Sequence, residues 1–146
     1  MLRRTTSFLV FLLLLLANLG WPQPDRYKVG GEISFTRTGD LYVELVTKQE
    51  FESDKRSAFE LILKIVPEDI EKGKMSFTFH NVPQGTYGIQ CFQDVNGNGK
   101  LDTGMFGPKE PWGNYRPKRP TFRAPKFEEI AFRLEKDTTD IQIEVK

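Results

Sequence analysis

The sequence predicts an all-β protein, an antiparallel β-sandwich of about seven strands with one long ordered loop. Three observations support this fold class. Apolar and polar residues alternate with a period of two in about seven short segments, turn residues separate most of these segments, and helical periodicity is weak. Such alternation is typical of strands that bury one face and expose the other, as in sandwiches built from antiparallel sheets.

The N-terminal segment, residues 1–20, is predicted to be a signal peptide. It begins with Arg3 and Arg4, and an unbroken apolar run, residues 8–17, follows. This run is about half the length that a bilayer-spanning helix needs, and a charged start with a short apolar run is typical of secretory signals. We expect cleavage near Gly20. An uncleaved anchor is the alternative, and the arginine pair leaves general secretion and twin-arginine export both open.

Export would place the mature protein in the periplasm or outside the cell, with no stable membrane insertion after cleavage. One domain over residues 21–146 fits the length of the chain. The formal net charge of +1 becomes −1 when Arg3 and Arg4 are lost, so there is no field to hold nucleic acid. A hydrophobic content of 38% is too high for a disordered chain.

The predicted strands are named here by the residues that face the core. They are Val29–Phe35, Leu41–Leu45, Phe59–Ile65, Met75–Phe79, Tyr87–Cys91, Ile130–Leu134 and Ile141–Val145. Cys91, the one cysteine, is expected to be buried and inert. His80, the one histidine, is expected to face solvent. Pro67–Gly73 could form one helical turn, since it begins with Pro and ends with Gly, but we predict a connector.

A stretch almost without strand pattern, residues 94–127, separates two clear strands. Connections of this length within a compact domain are usually functional or disordered. This one contains five prolines and five aromatic residues, among them Trp112 and Tyr115. Because aromatic residues at this density argue against disorder, we predict an ordered loop that packs on one end of the sandwich and is a candidate for function.

The beginning of this loop resembles a calcium-binding loop. In the segment Asp94-Val95-Asn96-Gly97-Asn98-Gly99-Lys100-Leu101-Asp102, oxygen-bearing side chains recur at every second residue and a glycine follows. This matches the start of an EF-hand loop, and Ca²⁺ prefers oxygen ligands. The candidate ligands are the side chains of Asp94, Asn96, Asn98 and Asp102 and the carbonyl group of Lys100.

The match ends at the twelfth position, where Met105 stands in place of a bidentate carboxylate. Glu110 is the nearest acidic residue downstream and is the candidate for the missing ligand. The alternative is a turn rich in Asn and Gly, whose short side chains bond to their own backbone. Calcium is therefore an open cofactor prediction.

Three segments carry a family resemblance: Gly85-Thr86-Tyr87, the Asp94–Asp102 motif and the run Gly107-Pro108-Lys109-Glu110-Pro111-Trp112-Gly113. Together they resemble the secreted bacterial proteins known as domain of unknown function 2141, over about Phe77–Lys146. The resemblance implies a signal peptide, an immunoglobulin-like or prealbumin-like β-sandwich and no established activity. Many members carry His just before the Asp of the motif, where this chain has Gln93.

The sequence shows no catalytic constellation, such as a nucleophile elbow. We therefore predict a non-enzymatic binding or structural protein, stabilised by Ca²⁺ if the loop binds it. A first alternative is a carbohydrate- or cell-envelope-binding module in which Trp112 and Tyr115 stack on sugars and Arg116 and Arg119 add charge. These aromatic residues could equally pin the loop to the body, and the basic residues could form a solvated edge. A second alternative is a small metal-assisted hydrolase that uses the loop carboxylates.

Overall fold

The computed structural model describes residues 25–53, 55–116 and 123–146. Within them the chain forms ten strands, which confirms the predicted all-β class. The strands are β1 (Arg26–Ser34), β2 (Asp40–Val46), β3 (Phe59–Leu63), β4 (Lys74–Pro83), β5 (Gly85–Asp94), β6 (Thr103–Gly104), β7 (Gly107–Pro108), β8 (Trp112–Asn114), β9 (Ala131–Leu134) and β10 (Thr138–Glu144). Three short helices are α1 (Lys48–Ser53), α2 (Pro67–Lys72) and α3 (Phe127–Ile130).

The first sheet has the strand order β10-β1-β4. β1 runs antiparallel to β4 but parallel to β10, with Gly31 opposite Ile141 and Ile33 opposite Ile143. The described strand pairs are antiparallel, as predicted for the sandwich, except for the parallel pair of β1 with β10. The alternation of apolar residues reports which face of a strand is buried, and it carries no information about the direction in which the neighbouring strand runs.

The second sheet has the order β3-β2-β5-β8, and β9 also pairs with β5. β2 lies along one edge of β5, while β9 and β8 follow each other along the opposite edge. β8 lies within the stretch that was predicted to contain almost no strand. It is only three residues long, too short to show alternation. Its Gly113 permits close approach, since a Cβ there would lie 2.5 Å from the carbonyl oxygen of Glu144.

The core between the two sheets consists of the residues that alternation placed there. Leu41, Val43 and Leu45 of β2 are fully buried, and Ile141 and Ile143 of β10 belong to the same core cluster. Each such side chain stabilises the fold by about 1.5–3 kcal/mol relative to an exposed one. Cys91 is buried, with its Sγ 3.6 Å from the carbonyl oxygen of Gly113, and His80 is exposed, as predicted.

The helices differ from the sequence prediction. Pro67–Lys72 forms α2 and ends at Gly73, which has a φ of +65°, a conformation that favours glycine. Ile130, predicted to begin a strand, ends α3 instead. None of the helices in the described part of the chain has the length and apolar character to cross a membrane. The predicted signal peptide, residues 1–20, lies outside the described residues.

The parallel β1–β10 contact generates a stability prediction at Gly31. A Cβ at this position would lie 1.9 Å from the carbonyl oxygen of Ile141, which is backbone and can move only with its strand. We expect Gly31→Ala to lower the free energy of unfolding by about 3 kcal/mol, measured by urea denaturation. Ser34→Ala, at an exposed position of the same strand, should change it by less than about 0.5 kcal/mol. Equal stability of the two variants would contradict the register.

Candidate functional site

The carboxylate of Asp94 organises the turn that follows β5. The side chain is buried, with 3% of its surface exposed. Its Oδ1 accepts hydrogen bonds from the backbone N–H groups of Gly97 (2.8 Å) and Asn98 (3.1 Å). Its Oδ2 accepts the N–H of Gly99 at 2.7 Å. Because Gly97 and Gly99 both have φ near +75°, which glycine adopts without strain, the chain can fold back around this carboxylate.

The carboxylate of Glu110 binds both ends of the same Asp94–Asp102 segment. It is buried, its Oε1 accepts the N–H of Val95 at 2.9 Å, and its Oε2 accepts the N–H of Asp102 at 3.0 Å. The N–H of Lys109 also donates to the carbonyl oxygen of Asp102, at 2.7 Å. Glu110 thus joins both ends of the motif, and the structure brings it to the loop for which the sequence proposed it as a ligand.

The remaining candidate ligands meet on the exposed side of the loop. The amide Nδ2 of Asn96 donates to Asp102 Oδ2 at 2.6 Å, and Nδ2 of Asn98 lies 3.2 Å from both carboxylate oxygens. The Oδ1 of Asn98 accepts the N–H of Lys100 at 2.9 Å. These are bonds that a turn rich in Asn and Gly makes to itself. Over the described ranges, no group of three or more His, Cys, Asp or Glu is placed to hold a metal ion.

β6 and β7 form a small hairpin that projects from this loop. Thr103 pairs with Pro108 and Gly104 with Gly107, so Met105 and Phe106 lie at the turn. Met105 holds the position where an EF-hand loop has its last carboxylate, and here it is 92% exposed. The β6–β7 hairpin thus stands in the chain between the Asp94–Asp102 segment and Glu110.

An open groove lies beside the loop, on the outer face of the second sheet, with a volume of about 580 Å³. Tyr42 of β2 and Phe92 of β5 are cross-strand neighbours in its floor, with stacked rings 4.8 Å apart and 9° from parallel. In the next pair on the same face of these strands, Gln90 Nε2 donates to Glu44 Oε2 at 2.8 Å. The floor therefore offers an aromatic surface next to a polar pair.

The two walls of the groove come from α1 and from the Asp94–Glu110 loop. Gly99 and Lys100 form the loop wall, and a Cβ at Gly99 would lie 3.4 Å from the hydroxyl oxygen of Tyr42. On the opposite side, Arg56 holds Glu60 through two hydrogen bonds of 2.7 and 2.8 Å. The charged lining residues are three acidic and three basic side chains: Glu44, Glu50, Glu60, Lys55, Arg56 and Lys100.

Helix α1 was missed by the sequence analysis, although its start carries a recognisable signal. The Thr47 Oγ1 accepts the N–H of Glu50 at 3.3 Å, and Glu50 Oε2 accepts the N–H of Thr47 at 2.7 Å, which is the reciprocal capping box. Burial raises the pKa of Glu50, but the hydrogen bonds from Thr47 and Ala58 outweigh it and the pKa is lowered. The spacing Thr-x-x-Glu could have identified the helix and hence this wall of the groove.

The structure separates the residues that the sequence proposed for sugar stacking. Trp112 is half-buried and pairs with Phe92, so it continues the aromatic row on the outer face. Tyr115 packs against the core and contacts Phe132 edge-on, with ring centroids 5.3 Å apart. The two aromatic residues therefore do not form one platform.

The basic residues after β8 are partly outside the described part of the chain. Arg116 is exposed, whereas Arg119 lies outside the described residues. Arg123 forms two hydrogen bonds with Glu129, of 2.7 and 2.6 Å, and this contact lowers the pKa of Glu129 to about 2. At Arg123 the stretch thus forms an ion-paired edge.

Comparison with known families gives a match over most of the described chain. Residues 34–142 match the model of a family described as "Uncharacterized protein conserved in bacteria (DUF2141)". Comparisons with curated proteins and with solved structures gave no match. The matched region spans the sandwich from the end of β1 into β10 and includes the loop and every lining residue of the groove.

The two hydrogen bonds of Glu110 lead to a prediction for Glu110→Gln. One carboxylate oxygen would become an NH₂ group that faces a backbone N–H, so a buried donor would lose its acceptor. We expect the free energy of unfolding to fall by about 1–3 kcal/mol in urea denaturation. Glu71→Gln, at an exposed position of α2, is the matched control and should change it by less than about 0.5 kcal/mol. Unaltered stability of Glu110→Gln would show that the loop does not depend on this carboxylate.

Proposed function

The chain belongs to the DUF2141 family of bacterial proteins, and because that description gives no activity, we propose a function from the geometry of the site. The protein is an exported, non-enzymatic binding module whose ligand occupies the groove between α1 and the Asp94–Glu110 loop. The observation that carries this proposal is the stacked Tyr42–Phe92 pair beside the hydrogen-bonded Glu44–Gln90 pair. Export rests on the signal-like residues 1–20.

A neutral saccharide of the cell envelope is the ligand class that fits this groove best. The stacked rings of Tyr42 and Phe92 cover one face of each other, and their edges and remaining faces give apolar surface against which the C–H groups of sugar rings can pack. Gln90 and Glu44 supply a donor and an acceptor to orient hydroxyl groups, as the few polar groups of a binding site do. The equal numbers of acidic and basic lining residues favour a neutral ligand over a polyanion.

The placement of the loop carboxylates favours binding over hydrolysis. A general acid or base must reach the substrate with its carboxyl group. Asp94 and Glu110 instead direct both oxygens at backbone N–H groups and are buried. Asp102 accepts the amide hydrogens of two asparagines. These contacts support a structural role for the three acidic residues that the hydrolase alternative would use.

Calcium is proposed as the stabiliser of the loop wall. Asn96, Asn98 and Asp102 meet within 2.6–3.2 Å. Ca²⁺ binds amide and carboxylate oxygens alike. If the side-chain amides of Asn96 and Asn98 rotated so that their oxygens faced Asp102, a Ca²⁺ ion beside Asp102 could replace the amide hydrogens that now bond to it. Asp94 and Glu110 already hold the backbone of the loop. With few carboxylates available, we propose a dissociation constant of about 10⁻⁴–10⁻³ M, the range of extracellular modules.

The calcium proposal predicts a thermal shift. Millimolar Ca²⁺ should raise the melting temperature by about 3 °C, because a ligand that binds only the folded state stabilises it. Mg²⁺ at the same concentration should have little effect, since it requires a stricter geometry. Asp102→Asn should lose the shift, whereas Asp140→Asn, at an exposed position of β10, should keep it. A melting curve that does not respond to Ca²⁺ would end the calcium proposal and leave the groove proposal standing.

The groove proposal predicts binding to immobilised neutral glycans. We expect Phe92→Ala to weaken binding by about tenfold, because it removes half of the stacked pair. Ile62→Ala is the matched control, since Ile62 lies opposite Tyr42 on β3 and is 46% exposed but does not line the groove. Both variants are checked for an unchanged far-UV circular dichroism spectrum. Equal binding by Phe92→Ala and the wild type, or failure of the wild type to bind any neutral glycan, would refute the groove as a saccharide site.

A further inference from the structure

The tip of the β6–β7 hairpin exposes two large apolar side chains. Phe106 is 100% exposed and Met105 is 92% exposed. The other large exposed apolar residues of the described chain, Ile62, Val66 and Val95, keep about half of their surface covered. Scattered half-exposed apolar residues are ordinary, but two adjacent and almost fully exposed ones form a patch that calls for a partner.

The base of the hairpin is held in place by the loop below it. Thr103 and Gly104 pair with Pro108 and Gly107. Next to this pairing, the carbonyl oxygen of Asp102 accepts a hydrogen bond from the N–H of Lys109, and the N–H of Asp102 donates to the carboxylate of Glu110. A hairpin anchored in this way presents its tip in one geometry, so little conformational entropy is lost when the tip is buried against a partner.

The one charged residue of the hairpin segment, residues 103–109, is basic. Lys109 is exposed, and its side chain passes close to Gly104, where a Cβ would lie 2.8 Å from the Lys109 Cε. Of the acidic residues at the base of the hairpin, Glu110 is buried and Asp102 is partly buried. An apolar tip beside an exposed lysine complements an anionic lipid surface, in which acyl chains lie beneath negative headgroups.

We propose that Met105 and Phe106 insert into the interfacial region of an anionic phospholipid bilayer, while Lys109 contacts the headgroups. The tip is convex and only two residues wide. A bilayer can accept such a tip without a matching cavity, whereas a protein partner would have to supply a pocket. Two side chains give shallow and reversible adsorption, in line with the expectation of no stable membrane insertion. The surface lies on the hairpin and does not depend on a saccharide in the groove.

The test is co-sedimentation of the exported protein with vesicles of phosphatidylglycerol and phosphatidylcholine. The protein is used without residues 1–20, because an apolar run that binds vesicles by itself would mask the contribution of the tip. We expect the double variant Met105→Ser/Phe106→Ser to lower the partition coefficient by at least about tenfold. Its fold should be unchanged, because both side chains are exposed. Val66→Ser, at an apolar position that is 47% exposed elsewhere, is the control and should bind as the wild type does.

Two further comparisons distinguish adsorption to an anionic membrane surface from insertion of the tip into a protein pocket. Lys109→Glu and vesicles of pure phosphatidylcholine should each weaken binding by several-fold, because the headgroup attraction is lost. Phe92→Ala, in the groove, should bind vesicles as the wild type does. The proposal is overturned if the wild type does not sediment with anionic vesicles, which is the result expected of a tip that fits a protein pocket. It is also overturned if the double variant sediments as well as the wild type.

Discussion

Two buried carboxylates hold the functional end of this sandwich together. Asp94 and Glu110 accept five backbone N–H groups between them, from Gly97, Asn98 and Gly99 and from Val95 and Asp102. Hydrogen bonds to charged acceptors are the stronger ones, and a buried carboxylate without donors would be costly. The wall of the groove and the base of the hairpin both follow from this arrangement, since Gly99 lies against Tyr42 and Asp102 is the last residue before β6.

The strands in which apolar and polar residues clearly alternate could be predicted, because this local pattern indicates that one face of the strand is buried. β2 and β10 are examples, and their inward residues are fully or almost fully buried. The direction of β10 could not be predicted in this way, because pairing with β1 depends on the path of the whole chain. β8 was missed since its three residues owe their strand conformation to β5 and to the approach of Gly113 to β10, and neither contact is local in sequence.

In the candidate site, too, features set by neighbouring residues could be predicted from the sequence, and features set by strand pairing could not. The Asp94–Asp102 segment could be recognised because its Asp, Asn and Gly residues act on their own neighbouring backbone, and Glu110 is close enough in sequence to be proposed. The groove could not be recognised from the sequence, because Tyr42 and Phe92 become neighbours only through the register of β2 with β5. Trp112 and Tyr115 are only three residues apart, but Trp112 lies on the outer face of the sheet and Tyr115 packs against the core. Closeness in sequence therefore did not predict closeness of the two side chains.

The measurement that tests the central role of the two carboxylates most directly is amide hydrogen exchange, followed by NMR. If Asp94 and Glu110 hold the loop as described, the N–H groups of Gly97, Asn98, Gly99, Val95 and Asp102 exchange at least about 100-fold more slowly than in an unstructured peptide. They should do so although Val95, Gly97, Asn98 and Gly99 belong to residues that are exposed to solvent. Exchange of these five amides at the rates of a free peptide would contradict the account.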